Sequence, residues 1–398
     1  MSHGEATTSR RRLAARRVLV IQPCLTAVGG GNGVAAWIIA ALRHEHRVTL
    51  LSWQRPDLEA INRIFGTDLA AGEFEWRPGP ALLWRLLSAP PLPLALLKDS
   101  LLVQHARRRA GEYDVLISAS GEHDLGGQGI QYVHYPRFIP FEPPEHPPLH
   151  HRSLPVWLYR SAALRLSGTR VARVRANRTL ANSEWVAQLY RRTHGGAAVE
   201  VLHPPAAGPF AQVPWDARAD GIVCIGRFSP EKRLEMVIDV VERVRARGHG
   251  LTLHLAGMVD DPHYADHVRR VAAARSDWVV VHDRLPRAAL GALIAQQRYG
   301  IHGMPAEHFG MAVAELVAGG CIPFVPDDGG QREIVGNDPR LLFHTAAEGA
   351  EKIATVMGDP ALQQSLRAAL EPRRRAAGPE HFMRRMREVV AEVARPPS

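Results

Sequence analysis

Residues 221–257 read GIVCIGRFSPEKRLEMVIDVVERVRARGHGLTLHLAG. A short apolar run, "GIVCIGRF", is followed by a helix-length segment and then by a second such run, "LTLHLAG". Continuous Val/Ile/Leu-rich runs of this length, separated by helices, predict parallel strands buried on both faces. The alternation extends in both directions. The first half of the chain carries "RVLVIQP", "RVTLLSW", "YDVLISAS", "GIQYVHYP" and "RTLANS", and the second adds "WVVVHDRL", "YGIHGMP" and "CIPFVPD". It stops and restarts across "HPPAAGPFAQVPWDARADG", residues 203–221, a Pro- and Ala-rich stretch that reads as a linker. The expected fold class is α/β, with two doubly wound Rossmann-like domains facing a central cleft. Ligands in such sheets bind beyond the carboxyl ends of the strands, so functional residues are sought just after these runs.

The totals agree. A chain of 398 residues exceeds one comfortable core, and 46 % hydrophobic with 22 % charged residues is ordinary for a globular protein. Cys24, Cys224 and Cys321 lie far apart without CxxC spacing, so neither a disulfide framework nor a zinc site is expected, and a reducing, cytoplasmic compartment fits. The start, "RRRLAARRVLVIQPCL", imitates a secretory signal, but Gln22 and Pro23 cut its apolar run short. A basic tail over 1–16 leading into a first strand is expected instead. No stretch is apolar enough to span a bilayer, since "ALLWRLLSAPPLPLALL" carries Arg85 and several prolines. Residues 1–205 hold 25 Lys and Arg against 16 Asp and Glu, whereas residues 206–398 hold 24 of each. The surplus positive charge of the first half predicts an anionic partner: a membrane surface, a phosphorylated substrate or nucleic acid.

Several post-strand motifs carry chemistry. In "AVGGGNGVAAWIIAAL", Gly29, Gly30, Gly31 and Gly33 predict a turn into a helix starting near Val34, where bare backbone and a helix N-terminus would suit a phosphate. The alternative is simply a tight turn. A dinucleotide fingerprint is not met, because the second strand ends "SWQR" without a carboxylate. "GRFSPEKR" offers Arg227 and Lys232 as a cation pair for a diphosphate, with Pro230 and Glu231 suited to a helix's first turn; a solvated surface pair is the alternative.

"AEHFGMAVAEL", residues 306–316, sets Glu307 and Glu315 eight positions apart across a helix expected from about Met311. Amides of Phe309, Gly310 and Met311 would point out of that helix start, and eight residues at helical rise span roughly 10–12 Å. The two carboxylates would thus grip opposite ends of one elongated ligand, the alternative being a loop charge and a solvated helix position. In "PDDGGQREIVG", Gly329 and Gly330 allow close backbone approach, and Gln331 or Glu333 is placed to read a ligand. His134 follows the strand "GIQYV". His146, His150 and His151 in "EPPEHPPLHHR" are interrupted by Pro147 and Pro148 and read as a loop rather than a metal site.

Taken together, "GGGNG", "YVHYP", "ANSEWVA", "GRFSPEK" and "EHFGMAVAEL…GGQREIV" resemble, in content and order, the retaining family 4 glycosyltransferases of GT-B architecture, over roughly residues 17–345. "EHFG" with "YVHYP" looks most like the eukaryotic mannosyltransferases that extend the dolichol-linked oligosaccharide. The resemblance implies an acceptor-side domain over 1–205, a nucleotide-sugar domain over 206–375, and a terminal helix over 376–398 returning to the first domain. It implies that Arg227 and Lys232 hold the donor diphosphate, that Glu307 and the backbone of Phe309 to Met311 bind the donor sugar, and that Glu315 binds the ribose. Gly30 and Gly31 would offer amides to the phosphates, with Gly33 in the same turn, and His134 would sit near the reacting carbon. It implies transfer of a hexose, GDP-mannose slightly preferred, to a glycan or lipid-linked hydroxyl, with no cofactor and no metal. Ala318-Gly319-Gly320 and His308 depart from the usual pattern and touch sugar preference only.

Two other classes stay open: a sugar-nucleotide epimerase of the same fold, and a non-catalytic binder of anionic surfaces using "RRRLAARR" and "QHARRRA". Nucleic acid is not expected, for want of aromatics and of a recognised module. The leucine-rich segment before "QHARRR" reads either as a core helix or as a peripheral contact with the cytoplasmic membrane and a lipid-linked acceptor.

Overall fold

The computed structural model describes residues 15–26, 28–88, 94–136 and 154–393. The histidine-rich loop at 142–152 and most of the basic tail lie outside them. Seven strands come from the first half: β1 Arg17–Ile21, β2 Arg47–Ser52, β3 Glu75–Pro78, β4 Val115–Ser118, β5 Ile130–Val133, β6 Arg178–Ala181 and β7 Glu200–Val201. Six come from the second: β8 Ala219–Ile225, β9 Thr252–Gly257, β10 Val279–Asp283, β11 Gln297–Ile301, β12 Ile322–Pro326 and β13 Leu342–Phe343. They form two separate sheets, ordered β3-β2-β1-β4-β5-β6-β7 and β10-β9-β8-β11-β12-β13, and every pairing is parallel.

The physical reason is visible strand by strand. Val18, Val20 and Ile21 are fully buried, as are Ile222, Val223, Leu253 and Leu255, so both sheet faces are covered by helices. In each sheet the strand order reverses beside its first strand, between β1 and β4 and between β8 and β11. Helices leave these neighbours toward opposite faces, and the crevice between them is where a ligand is held.

β3, β7 and β13 were not expected. They are short strands at or beside the sheet margins, and β3 and β7 are at most half-buried, so they lack the long apolar run that marks a central strand. Two local expectations are also corrected. The first helix begins at Gly30, not near Val34, so Gly30, Gly31 and Gly33 form its first turn. Pro230–Lys232 form a 3-10 turn, and the helix proper, Leu234–Arg245, starts only after Arg233, whose φ of 49° breaks the regular path.

The last helix, Pro379–Val393, buries Phe382, Met386, Val389 and Val390 against the first sheet's core, on one face at i, i+4, i+7 and i+8. Arg385 makes two bonds to Glu200 of β7 (2.6 and 2.9 Å), and Arg387 donates to the carbonyl of Ala41 at 2.8 Å. The chain therefore crosses between the halves twice, and the crossings touch: the Ala206 amide donates to the Ala377 carbonyl at 2.9 Å. Because Phe382 plugs the first sheet's core, Phe382→Ala is expected to cost about 3–5 kcal/mol, the usual loss for a buried phenylalanine. Differential scanning calorimetry checks this; an unchanged first-half transition would place the helix outside the folding unit.

Candidate functional site

Lys232 follows β8 and Glu307 follows β11, 75 residues apart in sequence, yet adjacency of these strands makes them neighbours. The Lys232 ammonium lies 2.7 Å from Glu307 Oε2, with both side chains more than four-fifths buried (14 and 19 % exposed). His302 Nε2 meets the same carboxylate oxygen at 3.2 Å. Burial alone would raise the Glu307 pKa, but the bond from His302 and the charge of Lys232 outweigh it and hold the carboxyl well below its usual range. Burial lowers the His302 pKa, so the ring is neutral near pH 7. An ionised carboxylate only accepts, so Nε2 of His302 carries the proton.

The loop carrying Glu307 is braced from behind. The Gly330 amide donates to the Glu307 carbonyl at 2.7 Å. A Cβ on Gly329, whose φ is +76°, would stand 2.4 Å from that same oxygen, and one on Gly330 the same distance from the His308 carbonyl. The close approach predicted for this glycine pair is thus to the protein's own loop. Gln331, fully buried, donates to the carbonyls of Met304 (2.9 Å) and Asp328 (3.1 Å) as a strut beneath it.

Gly310, at φ +104°, caps the helix Met311–Ala318. The amides of Phe309, Gly310 and Met311 donate to no group among the described residues. Opposite them stands the helix start of the other half: a Cβ on Gly30 would lie 3.1 Å from Met311 Cγ, and one on Gly31 would lie 3.3 Å from His134 Nε2. His134 Nε2 itself lies 2.9 Å from the Ala119 carbonyl oxygen. Two helix N-termini, a buried lysine, a carboxylate and a histidine therefore converge across the cleft. Gly33 does not join them, since it makes room for Phe65, whose ring would stand 2.8 Å from a Cβ placed there.

Two predicted participants are placed differently. Arg227 is exposed and held by Asp260 and by Glu231 at 3.1 Å, and among the described residues it makes no ion pair with Glu307. Only Met311 to Glu315 is helical in the Glu-x7-Glu segment, so the full eight-residue helical rise does not apply. Glu315 is neither solvated nor unpartnered: Arg287 reaches it at 2.8 Å and also donates to the Ala207 carbonyl of the linker. Burial pushes the Glu315 pKa up, and Arg287 opposes that rise.

Sequence reading missed the seam that closes the cleft. Glu333 accepts from the amides of Glu184 (2.8 Å) and Trp185 (2.9 Å), at the start of helix Glu184–Thr193 in the other half, and lies 3.1 Å from His203. Ser183 Oγ donates to the His308 carbonyl at 2.6 Å, and the His308 ring stacks on Tyr135 at 4.4 Å. His302 and Arg287 were missed as well. The available signal was a polar residue ending an apolar strand in "YGIHGMP", five positions before a glutamate.

Residues 210–373 match the family described as Glycosyl transferases group 1. The GDP-Man:Man(3)GlcNAc(2)-PP-Dol alpha-1,2-mannosyltransferase of Candida glabrata is 25 % identical over 166 residues, 37 % of this chain and 32 % of that one. Its Dictyostelium discoideum counterpart is 29 % identical over 154 residues, 35 % and 30 % of the respective chains. The match thus spans about a third of the length of these curated relatives. Among solved structures, a glycosyltransferase from Rickettsia africae is similar at TM-score 0.65 and 14 % identity, covering 97 % of this chain and all of that one. Anabaena HepE in complex with UDP and glucose gives 0.66 and 16 %, over 95 % and 100 %. At these identities the likeness is one of fold, the GT-B arrangement of two facing parallel sheets.

A base whose pKa is lower folded than unfolded takes up protons on unfolding. The stability contributed by neutral His302 is therefore complete above its ordinary value of about 6.5 and is lost as pH falls toward the lowered folded value. The difference in melting temperature between wild type and His302→Gln is expected to shrink from pH 7 to pH 5; a difference constant across that range would contradict the assignment.

Proposed function

We propose, for a chain whose residues 210–373 are of the glycosyl transferases group 1 family, that the protein transfers a hexose from a nucleotide-diphosphate sugar to an acceptor hydroxyl with retention of configuration. The observation that carries this is the buried Lys232–Glu307 pair standing at one helix N-terminus and facing another across the cleft. Breaking a sugar–phosphate bond leaves growing negative charge on the diphosphate and positive charge on the sugar ring. Lys232 and the amides opening helices Gly30–Leu42 and Met311–Ala318 would stabilise the diphosphate, as fixed dipoles that need no reorganisation.

Glu307 would accept hydrogen bonds from the donor sugar's hydroxyls, kept ionised by Lys232 and His302. Glu315 would bind the ribose, held by Arg287, and His134 would face the reacting carbon. Arg227 would reach the diphosphate only by leaving Asp260 and Glu231, which makes it a donor-dependent participant. In the domain reading, residues 1–205 hold the acceptor, residues 206–375 the donor, and 376–398 tie them. GDP-mannose is the preferred donor in this proposal, on the strength of the local similarity to GDP-mannose-dependent enzymes.

The acceptor proposed is a glycan or lipid-linked glycan met at an anionic membrane surface. Helix Ala81–Ser88 supports this. Leu83 and Trp84 pack inward, with Trp84 stacked on Trp53 at 5.6 Å, whereas Leu82 and Leu86 are 71 and 67 % exposed beside Arg85. Among the described residues no helix is long and apolar enough to cross a membrane.

Donor binding and hydrolysis are measured with GDP-mannose, UDP-glucose and UDP-N-acetylglucosamine. Lys232→Ala is expected to lower kcat/KM about 10²- to 10³-fold, the scale of losing one preorganised donor, while still unfolding in one cooperative transition, at a lower temperature because Glu307 loses its buried partner. Glu307→Ala is expected to abolish hydrolysis. Binding indifferent to both substitutions would remove the site from consideration. For the surface, Leu82→Glu with Leu86→Glu is expected to abolish sedimentation with phosphatidylglycerol vesicles while leaving donor hydrolysis in solution unchanged; equal sedimentation would place membrane contact elsewhere.

A further inference from the structure

A second cavity, of about 590 Å³, opens at the other edge of the second sheet, lined among others by Trp215, Arg218, Cys321, Arg367, Glu371 and Arg374. Arg218 precedes β8 and Cys321 precedes β12, so this cavity sits at the amino ends of strands whose carboxyl ends face the cleft. Seven residues of β8 at about 3.3 Å each separate the two edges by roughly 20 Å. Nothing in the cleft chemistry above uses it.

Its charge is uncompensated. Arg218 spends its donors on backbone carbonyls, those of Val213 (3.2 Å), Gln297 (3.2 Å) and Gly319 (3.0 Å), and no carboxylate among the described residues pairs with it. Arg367 lies over the Trp215 ring at 4.6 Å and likewise has no carboxylate partner among the described residues. Arg374 binds Glu371 through two bonds (2.6 and 2.9 Å), but Arg375 claims the same carboxylate at 2.8 Å. Within the pocket one glutamate thus faces three guanidiniums, and it is shared with the exposed Arg375 outside it. Guanidiniums do not shed their charge by titration, so repulsion in this pocket is relieved only by a bound anion or by solvent ions. The thiol of Cys321 at its floor is pushed up to about 12 by burial and adds no charge.

We propose that this pocket is a second anion site, taking a compact non-aromatic molecule that carries one or two phosphate groups. Guanidinium forks match phosphate oxygens two at a time, and the volume suits a small metabolite. The Trp215 ring is already covered by Arg367 and approached by Arg298 at 5.6 Å, so a base or other flat ring has no stacking surface there. The pocket adjoins the helix whose opposite end meets the cleft: Arg218 holds the carbonyl of Gly319, directly after helix Met311–Ala318. An anion drawing Arg218 away would loosen that helix's last turn.

The test uses inorganic pyrophosphate and isothermal titration calorimetry on full-length protein. Because the cleft is itself expected to bind pyrophosphate, the starting protein is Lys232→Ala. That protein is expected to bind one equivalent, and adding the exposed-residue change Arg367→Gln is expected to weaken binding about tenfold, the scale of one charge-assisted hydrogen-bond pair. Trp215→Phe retains an aromatic wall and is expected to retain binding within about twofold. No binding by Lys232→Ala would assign all the affinity to the cleft and overturn the second site. Binding untouched by Arg367→Gln and by Arg374→Gln would place the anion elsewhere and overturn it equally. Neither result bears on sugar transfer, which is read by the donor assay alone.

Discussion

Every described strand in both sheets runs parallel to its neighbours, and the rest of the molecule follows from that constraint. A parallel pair cannot be joined by a tight turn, so each connection must cross a sheet face, and helices cover both faces. All carboxyl ends then share one edge. Residues separated by dozens of positions, such as Lys232 and Glu307, are delivered to that edge by strand adjacency rather than by sequence proximity. The reversal of strand order beside β1 and beside β8 opens a crevice in each sheet, and the two crevices face one another.

The electrostatics of the cleft rest on a buried ion pair supported by a neutral histidine. Such a pair is not kept for stability, because withdrawing two charges from water costs as much as their attraction returns. What it secures is a carboxylate that stays ionised while largely dry, and a lysine whose position is known before any ligand arrives. Removing either partner strands the other, which is why Lys232 and Glu307 behave as one unit. His302 completes the set without adding charge: its Nε2–H donates a hydrogen bond to the carboxylate, and its burial keeps the ring neutral.

The central strands were legible because each is a continuous branched apolar run that only a doubly covered strand can bury. β3, β7 and β13 were not, since "EWRP", "EV" and "LF" owe their pairing to a neighbour already in place. The same division runs through the site. Lys232, Glu307 and the Gly30-Gly31 helix start could be read because each breaks a local rule: a charge or bare backbone just past a buried strand. The partners of those residues could not be read. Arg287 finds Glu315 from 28 positions away within the second half, and Glu333 caps a helix 149 positions earlier in the first; the second of these contacts exists only once the two halves have docked. Gly329 and Gly330 announced a close approach correctly in kind, but what they admit is backbone of the same loop.

The adjoining crossings at Ala206 and Ala377 make the second half a door hung on a single post. Two strands of chain entering side by side permit rotation about that line and forbid sliding. The seam of Ser183, His308 and Glu333 then works as the latch. Apart from the stack of His308 on Tyr135 its contacts are hydrogen bonds, each worth about 0.5–3 kcal/mol net against water, with those to the carboxylate at the upper end. A lock built of apolar surface would hold whatever the solvent; one built largely of a carboxylate, a hydroxyl and two amides is one that water can compete for.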